Sequence, residues 1–214
     1  MSSLILNEDI PLSEKRGRDS GNKAFPIWLL VNPKYTAVRY DIWRPVLDVI
    51  QDKVYRELHT RIDTTNIYFR SAVSNGGIVP NTLNWWGREV AKEIDLFREI
   101  VLEYKPKMLI SFGAFPFEFM RRVYEIKPEK GPKAWGTSLL RDEFERSMEN
   151  FDINDTNRIP LLRRVVTSDN QRENQRESLN FMSRTERESY FHHIGTKIAE
   201  KIIEHKATLN IWIE

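Results

Sequence analysis

The stretch from Pro106 to Arg122 constrains the fold more than any other part of this sequence. It contains five consecutive, mostly apolar residues, Met108 to Phe112, and such a run is typical of a strand covered on both faces, as in a parallel sheet. Gly113 lets the backbone turn sharply, and Pro116 suits the first position of a helix, which has no backbone hydrogen bond to lose. A strand, a tight turn and a helix form half of a βαβ unit, in which ligands bind at strand carboxyl ends. An ordinary scaffold turn is the alternative interpretation.

Apolar periodicity predicts an alternation of strands and helices along the rest of the chain. The predicted strands are Ile27–Val31, Asn66–Val73, Met108–Phe112 and Leu161–Val166, and the predicted helices are Ile42–Leu58, Asn81–Tyr104, Phe117–Tyr124 and Ser189–His205. This order predicts an α/β fold: a three-layer α/β/α sandwich with a central, mainly parallel four-stranded sheet.

Three segments fall outside this alternation. Residues 1–24 are polar and of mixed charge, which predicts an N-terminal arm before a single domain of residues 25–214. Residues 125–160 carry several Pro, Gly and Asn positions and are predicted to be irregular, with a short helix within Leu139–Met148. Leu209–Ile213 is predicted to form a terminal edge strand.

Composition excludes several classes of protein. The chain has no cysteine, which rules out disulfides, thiolate catalysis and cysteine zinc sites. No apolar run approaches the ~20 residues that span a bilayer, and the N-terminus lacks a basic region before its apolar patch, so we expect a cytoplasmic protein without a secretory signal. The histidines lack a metal-ligand spacing, so neither a metal nor a cofactor is expected. The net charge of +2 neither demands nor forbids a nucleic-acid partner.

Two motifs occur in an informative order. The first is Leu29-Leu-Val-Asn-Pro-Lys-Tyr35, at the end of a predicted strand, and the second is Tyr104-Lys-Pro-Lys-Met-Leu-Ile-Ser-Phe-Gly113, which joins a helix to a strand. In this order the motifs resemble those of the uracil-DNA glycosylase-like superfamily, over roughly residues 25–125. The resemblance implies a parallel α/β/α domain that acts on a nucleobase in DNA or in a nucleotide.

The resemblance also implies roles for individual residues. Asn32 matches the acid or amide that positions the attacking water, and Tyr35 matches the aromatic residue that walls the base pocket. Basic residues dominate phosphate contacts, so Lys34 is a candidate for one. The implied substrate site is completed by three further residues: Pro33, Asn66 and Gly113.

The chain departs from the family after its last predicted strand. The family has a His-Pro-Ser motif there, whose histidine stabilises the departing base, whereas this chain has Thr167-Ser-Asp-Asn170. Ser168 and His192 are the candidates to replace that histidine. The alternative interpretations are that Ser168 is a turn or cap residue and that Asn32 caps the turn after the first strand.

Two functional hypotheses follow from the sequence. The first is a divergent glycosylase that hydrolyses the N-glycosidic bond of a nucleobase in DNA, with Asn32, Ser168 and His192 as its catalytic residues. The second is a non-catalytic protein of the same fold that binds a nucleic acid, a nucleotide or a protein. The missing histidine motif separates the two, because excision needs a stabiliser for the departing base anion.

Overall fold

The computed structural model of the chain describes residues 19–32, 39–73, 87–162 and 184–213. Its centre is a sheet of five strands in the order β1-β3-β2-β4-β5. The strands are β1 (Asp19–Ser20), β2 (Ile27–Val31), β3 (Tyr68–Ser71), β4 (Met108–Phe112) and β5 (Asn157–Leu161). The last four are mutually parallel, and only the short β1 pairs antiparallel, with β3. The predicted α/β class is therefore confirmed, with a fifth strand added at one edge.

Within the described ranges, five helices cover the two faces of this sheet. They are α1 (Arg39–Leu58), α2 (Arg88–Tyr104), α3 (Ala114–Val123), α4 (Thr137–Glu149) and α5 (Arg184–Glu204), and a 3₁₀ turn, Pro132–Ala134, precedes α4. One apolar cluster joins α1, α5 and most of the buried side of α4 to one face, and a second joins α2 and α3 to the other. The result is the three-layer sandwich. None of the helices in the described ranges is both long and apolar enough to cross a membrane.

The central strand β2 shows why the sequence reads as continuous apolar runs. Ile27, Leu29 and Val31 pack in the first cluster, whereas Trp28 and Leu30 pack in the second. Successive side chains of a strand point to opposite faces, so a strand between two helical layers needs apolar residues at every position. This condition holds for β2 and β4, whose predicted bounds are confirmed to the residue.

The prediction for the last strand was wrong in its bounds. Strand β5 spans Asn157–Leu161, not Leu161–Val166, and residues 163–166 lie outside the described ranges. It begins with two polar residues and contains Pro160, a composition that hides a strand. Proline fits here because β5 is the edge of the sheet that the described strands form, with β4 as its neighbour on the other side, so the missing N–H need not pair.

Three other predictions are corrected. Helix α4 spans Thr137–Glu149 and is longer than the predicted Leu139–Met148. Together with β5 it occupies much of the segment predicted to be irregular, residues 125–160. Helix α3 begins at Ala114, which places Pro116 at its third position, still within the first turn where backbone N–H groups lack intrahelical acceptors. The C-terminal segment forms an isolated antiparallel bridge between Trp212 and Ile62, not a strand of the sheet.

Candidate functional site

The strand order creates a switch point in the sheet. From β2 the chain passes through α1 to β3 on one side, and then through α2 to β4 on the other side of β2. The connections that follow the adjacent strands β2 and β4 therefore run in opposite directions, to β3 and to β5, and α1 and α3, which follow these two strands, cover opposite faces of the sheet. In open α/β sheets, ligands bind in the crevice at the carboxyl ends of the strands beside such a point.

Asn32 lies at this crevice, directly after β2. Its neighbours follow from the register, in which Val31 pairs with Ser71 of β3 and Leu30 pairs with Ser111 of β4. The Ala72 N–H continues the first pairing by donating to the Val31 carbonyl at 2.7 Å. Extending the β3 register by one position and the β4 register by two places Asn32 between Ala72 and Gly113.

The residues around Asn32 carry few side-chain atoms. Ala72 contributes a methyl group, and Gly113 contributes no side chain at a backbone φ of 90°, a conformation that favours glycine. The Gly113 N–H donates to the Leu161 carbonyl at 2.7 Å, which fixes the turn against β5. Ser111 lies two positions before Gly113 along β4, and its buried hydroxyl reaches the Ile159 carbonyl only at 3.5 Å. The two register neighbours of Asn32 therefore carry at most a methyl group as a side chain.

The Asn32 amide differs from the other buried asparagine of the sheet. Asn32 is only 8% exposed, yet its side chain makes no hydrogen bond to any residue that the structure describes. Asn157, equally buried, donates to the carbonyls of Lys107 and Asp152 at 3.0 and 2.8 Å and accepts from the Asp152 N–H at 2.9 Å. Buried amides are normally hydrogen-bonded, so Asn32 retains donor and acceptor capacity for a ligand or a water.

Several predicted site residues lie on connections that start at this edge. Residues 33–38 follow β2, residues 74–86 follow β3, and residues 163–183 follow β5, and all three stretches are outside the described ranges. They contain Pro33, Lys34, Tyr35 and Ser168, so the proximity of these residues to Asn32 stays a prediction. Connections at the carboxyl edge of a parallel sheet commonly carry the binding residues.

The structure separates two other predicted residues from this crevice. Asn66 lies just before β3, at the amino edge, where its amide donates to Asp63 at 2.6 Å and its carbonyl accepts from the Asn22 N–H. His192 is exposed on α5. Of the predicted residues that the structure describes, only Asn32 and Gly113 are neighbours in the register.

Sequence reasoning missed a buried ionic cluster beside β3. Arg70 contacts Glu93 at 3.2 Å and Asp19 at 3.8 Å, and its guanidinium stacks over the Phe97 ring at 4.9 Å. The Tyr68 hydroxyl donates to Asp19 at 2.8 Å, and burial, with help from this carboxylate, raises the pKa of Tyr68. The cluster fastens β1 and α2 to β3. An arginine within an otherwise apolar strand was the available signal.

A second missed cluster surrounds Glu118 on α3, whose carboxylate is fully buried. It accepts hydrogen bonds from Arg121 and from the Trp135 indole N–H, at 2.9 and 2.8 Å. It also accepts from the Lys130 N–H at 2.8 Å and from Arg122 at 3.3 Å. Four donors saturate this carboxylate, so it secures the connection after α3 and has no capacity left for a substrate.

Two further findings concern metal binding and relatives of this chain. Within the described ranges, no group of three or more His, Asp and Glu side chains is arranged to hold a metal ion. Searches against protein-family models, curated proteins and solved structures find no match to this chain.

Proposed function

We propose that this protein binds a nucleobase at the carboxyl end of β2 and hydrolyses its N-glycosidic bond, as a divergent relative of the uracil-DNA glycosylase-like superfamily. The observation that supports the proposal is Asn32, a nearly buried amide at the switch point that has no partner among the described residues. Its register neighbours Ala72 and Gly113 carry at most a methyl group, which is compatible with a planar ring beside the amide.

The proposed reaction requires a positioned water. Asn32 Oδ1 accepts a hydrogen bond from that water, whose oxygen bonds to the sugar C1′ as the bond from C1′ to the base nitrogen breaks. The bonding electron pair leaves with the base. An amide cannot take up a proton, so the proton of the water passes to bulk solvent or to the departing base. The contribution of Asn32 is therefore positioning, for which a misplacement of 1 Å costs on the order of 10²-fold.

The other proposed roles belong to residues on the connections that begin at this edge. Tyr35 walls the base pocket, Pro33 fixes the turn, and Lys34 contacts a phosphate. Ser168 stabilises the base anion as the bond breaks. These assignments are supported by the order of the sequence motifs and by the attachment of residues 33–38 and 163–183 at the carboxyl edge.

A second candidate function is binding of a nucleic acid or nucleotide without catalysis. It is favoured by the identity of Asn32, because a carboxylate at that position would accept the proton of the water and an amide does not. In this case Asn32 hydrogen-bonds to an edge of the base instead of to a water.

A base-excision assay tests the proposal and separates the two candidates. The protein is incubated with labelled single- and double-stranded oligonucleotides that carry uracil, and abasic sites are then cleaved with alkali. We expect cleavage that falls on the order of 10²-fold in Asn32→Ala. The matched control is Asn66→Ala, the same substitution at the opposite edge of the sheet, which we expect to retain activity.

The Asn32→Asp variant adds a gain-of-function arm. A carboxylate at this position supplies the missing general base, so we expect faster excision above the pKa of the new carboxyl group. Absence of cleavage by the native protein and by Asn32→Asp, together with binding to uracil-containing DNA that Asn32→Ala abolishes, establishes the non-catalytic candidate. Equal behaviour of the Asn32 and Asn66 variants contradicts both candidates.

A further inference from the structure

A groove of about 500 Å³ lies between α4 and α5, and it has no residue in common with the crevice around Asn32. Its volume falls within the range of small-molecule sites, ~300–1,000 Å³. The buried side chains of Phe144 and Ile194 form an apolar floor. The groove is open to solvent along α4 and α5, where Ser189 contributes a hydroxyl to its lining.

The polar lining of the groove contains both signs of charge. Arg141 and Glu145 lie one helical turn apart on α4, and the Arg141 guanidinium stands 5.4 Å from the centre of the Tyr190 ring. The Tyr190 hydroxyl accepts a hydrogen bond from the Leu162 N–H at 2.9 Å, which holds the ring in place. His193 contacts Glu145 Oε1 through Nε2 at 2.6 Å and so fixes the carboxylate at the rim.

This pattern of charge selects the type of ligand. A simple anion attracted by Arg141 meets the carboxylate of Glu145, and a simple cation attracted by Glu145 meets the guanidinium. Like charges in contact reduce affinity, whereas a ligand with both charges satisfies both groups. Side chains one turn apart have Cβ atoms about 5–6 Å apart, close enough to reach the two ends of one small head group.

We propose that the groove between α4 and α5 binds a free α-amino acid with an apolar side chain. The ligand carboxylate pairs with Arg141, whose five N–H donors allow it to hold a ligand beside another partner. The ligand ammonium pairs with Glu145 Oε2, while Oε1 keeps His193. The apolar side chain of the ligand rests on Phe144 and Ile194. The proposal is independent of the nucleobase site at Asn32.

Calorimetric titration of the full chain with three matched ligands tests this assignment. L-phenylalanine carries both charges, 3-phenylpropionate lacks the ammonium, and 2-phenylethylamine lacks the carboxylate, while all three share the same apolar body. We expect L-phenylalanine to bind at least tenfold more tightly than either of the others. Equal affinities for the three ligands, or no binding of L-phenylalanine at millimolar concentration, overturn the proposal.

Two variants assign the two charges. Arg141→Gln should remove the preference for L-phenylalanine over 2-phenylethylamine, and Glu145→Gln should remove the preference over 3-phenylpropionate. Glutamine at position 145 can still accept the hydrogen bond from His193, so this variant keeps the contact between the helices. Arg146→Gln and Glu149→Gln are the matched controls, because both residues are exposed on α4 outside the groove. An equal loss of affinity in the controls overturns the proposal.

Discussion

Glu118 and Asn32 are both nearly inaccessible to solvent, but their surroundings differ in kind. The Glu118 carboxylate is 0% exposed and accepts from four donors, whereas the Asn32 amide is 8% exposed and has no partner among the described residues. Burying a polar group without a partner costs stability, so a protein retains such a group where something other than folding benefits. The difference teaches that burial alone does not single out a candidate site, and that unfilled hydrogen-bonding capacity at a strand end is the feature to test.

The largest expected effect is a loss of stability on substitution of Glu118, whose hydrogen-bonding capacity is filled. Glu118→Gln removes the charge that two partly or fully buried arginines share, and places an amide N–H₂ group among donors. Breaking a buried ion pair on one side costs about 3–5 kcal/mol, so we expect the free energy of unfolding to fall by that amount in urea denaturation.

The control for this prediction is Glu129→Gln. Glu129 also pairs with Arg122, at 2.9 Å, but its side chain is 42% exposed. An exposed pair contributes about 0–1 kcal/mol, so this variant should remain close to the native stability. Similar losses in both variants would show that the Glu118 cluster is less closed than its geometry indicates.

Asn157→Ala is expected to have the next largest effect. The substitution leaves the Lys107 carbonyl without its Asn157 side-chain donor and the Asp152 N–H without its acceptor. An unsatisfied buried group costs about 1–3 kcal/mol, but the Lys107 carbonyl keeps the backbone N–H of Asn157 and Asp152 is exposed, so we expect a total loss of about 1–2 kcal/mol. A loss below that caused by Asn32→Ala in the same denaturation experiment would contradict the comparison.

The cluster around Arg70 is intermediate between Glu118 and Asn32 in how much of its hydrogen-bonding capacity is filled. Asp19 Oδ1 and Arg70 Nε are buried without partners, whereas the Tyr68 hydroxyl and Arg70 Nη2 are hydrogen-bonded. Burial raises the pKa of Tyr68 in the folded protein above the unfolded value of about 10. A group whose folded pKa is raised contributes stability that is complete below the unfolded pKa and is lost as the pH rises beyond it. We therefore expect stability to decline above pH ~10, by at most about 1.4 kcal/mol per pH unit for this tyrosine.

The Tyr68→Phe variant isolates that contribution. It should reduce the steepness of the alkaline decline, and it should cost about 1 kcal/mol at neutral pH through the lost hydrogen bond to Asp19. Tyr55→Phe is the control because the Tyr55 side chain is half exposed. Denaturant titrations from neutral to alkaline pH provide the measurement, and an unchanged slope in Tyr68→Phe would refute the assignment.

The sequence predicted the fold where local pattern and global position agree. Strands β2 and β4 are buried on both faces, so each appears in the sequence as an almost continuous apolar run that predicts a strand. Strand β5 was misplaced because two of its residues do not fit an apolar pattern. Asn157 begins the strand and donates to the Lys107 carbonyl, and Pro160 lies where the strand is at the edge of the sheet. Strand β1 has two residues, which is too short for any periodicity to register.

The site was predicted in part. Asn32 was identifiable because it ends a strand in a motif, but its neighbours Ala72 and Gly113 depend on the strand order, which spacing along the chain does not give. Glu118 was not identifiable, because a glutamate on an amphipathic helix ordinarily faces solvent. Two of its four donors, the Lys130 N–H and the Trp135 indole N–H, come from the connection after α3.

The smallest expected change in stability belongs to Asn32→Ala. This substitution removes no hydrogen bond to the described residues, and the amide atoms of Asn32 are not among their fully buried unpartnered atoms, so the free energy of unfolding should change by less than about 1 kcal/mol in either direction. The same variant should lose uracil excision or uracil-DNA binding, whereas Asn157→Ala should lose stability first. Denaturation and activity assays on the two variants, at a temperature where both remain folded, check the contrast. If Asn32→Ala proves as destabilising as Asn157→Ala, the Asn32 amide is a structural cap of the turn after β2, and the proposal of a binding site at the carboxyl edge is contradicted.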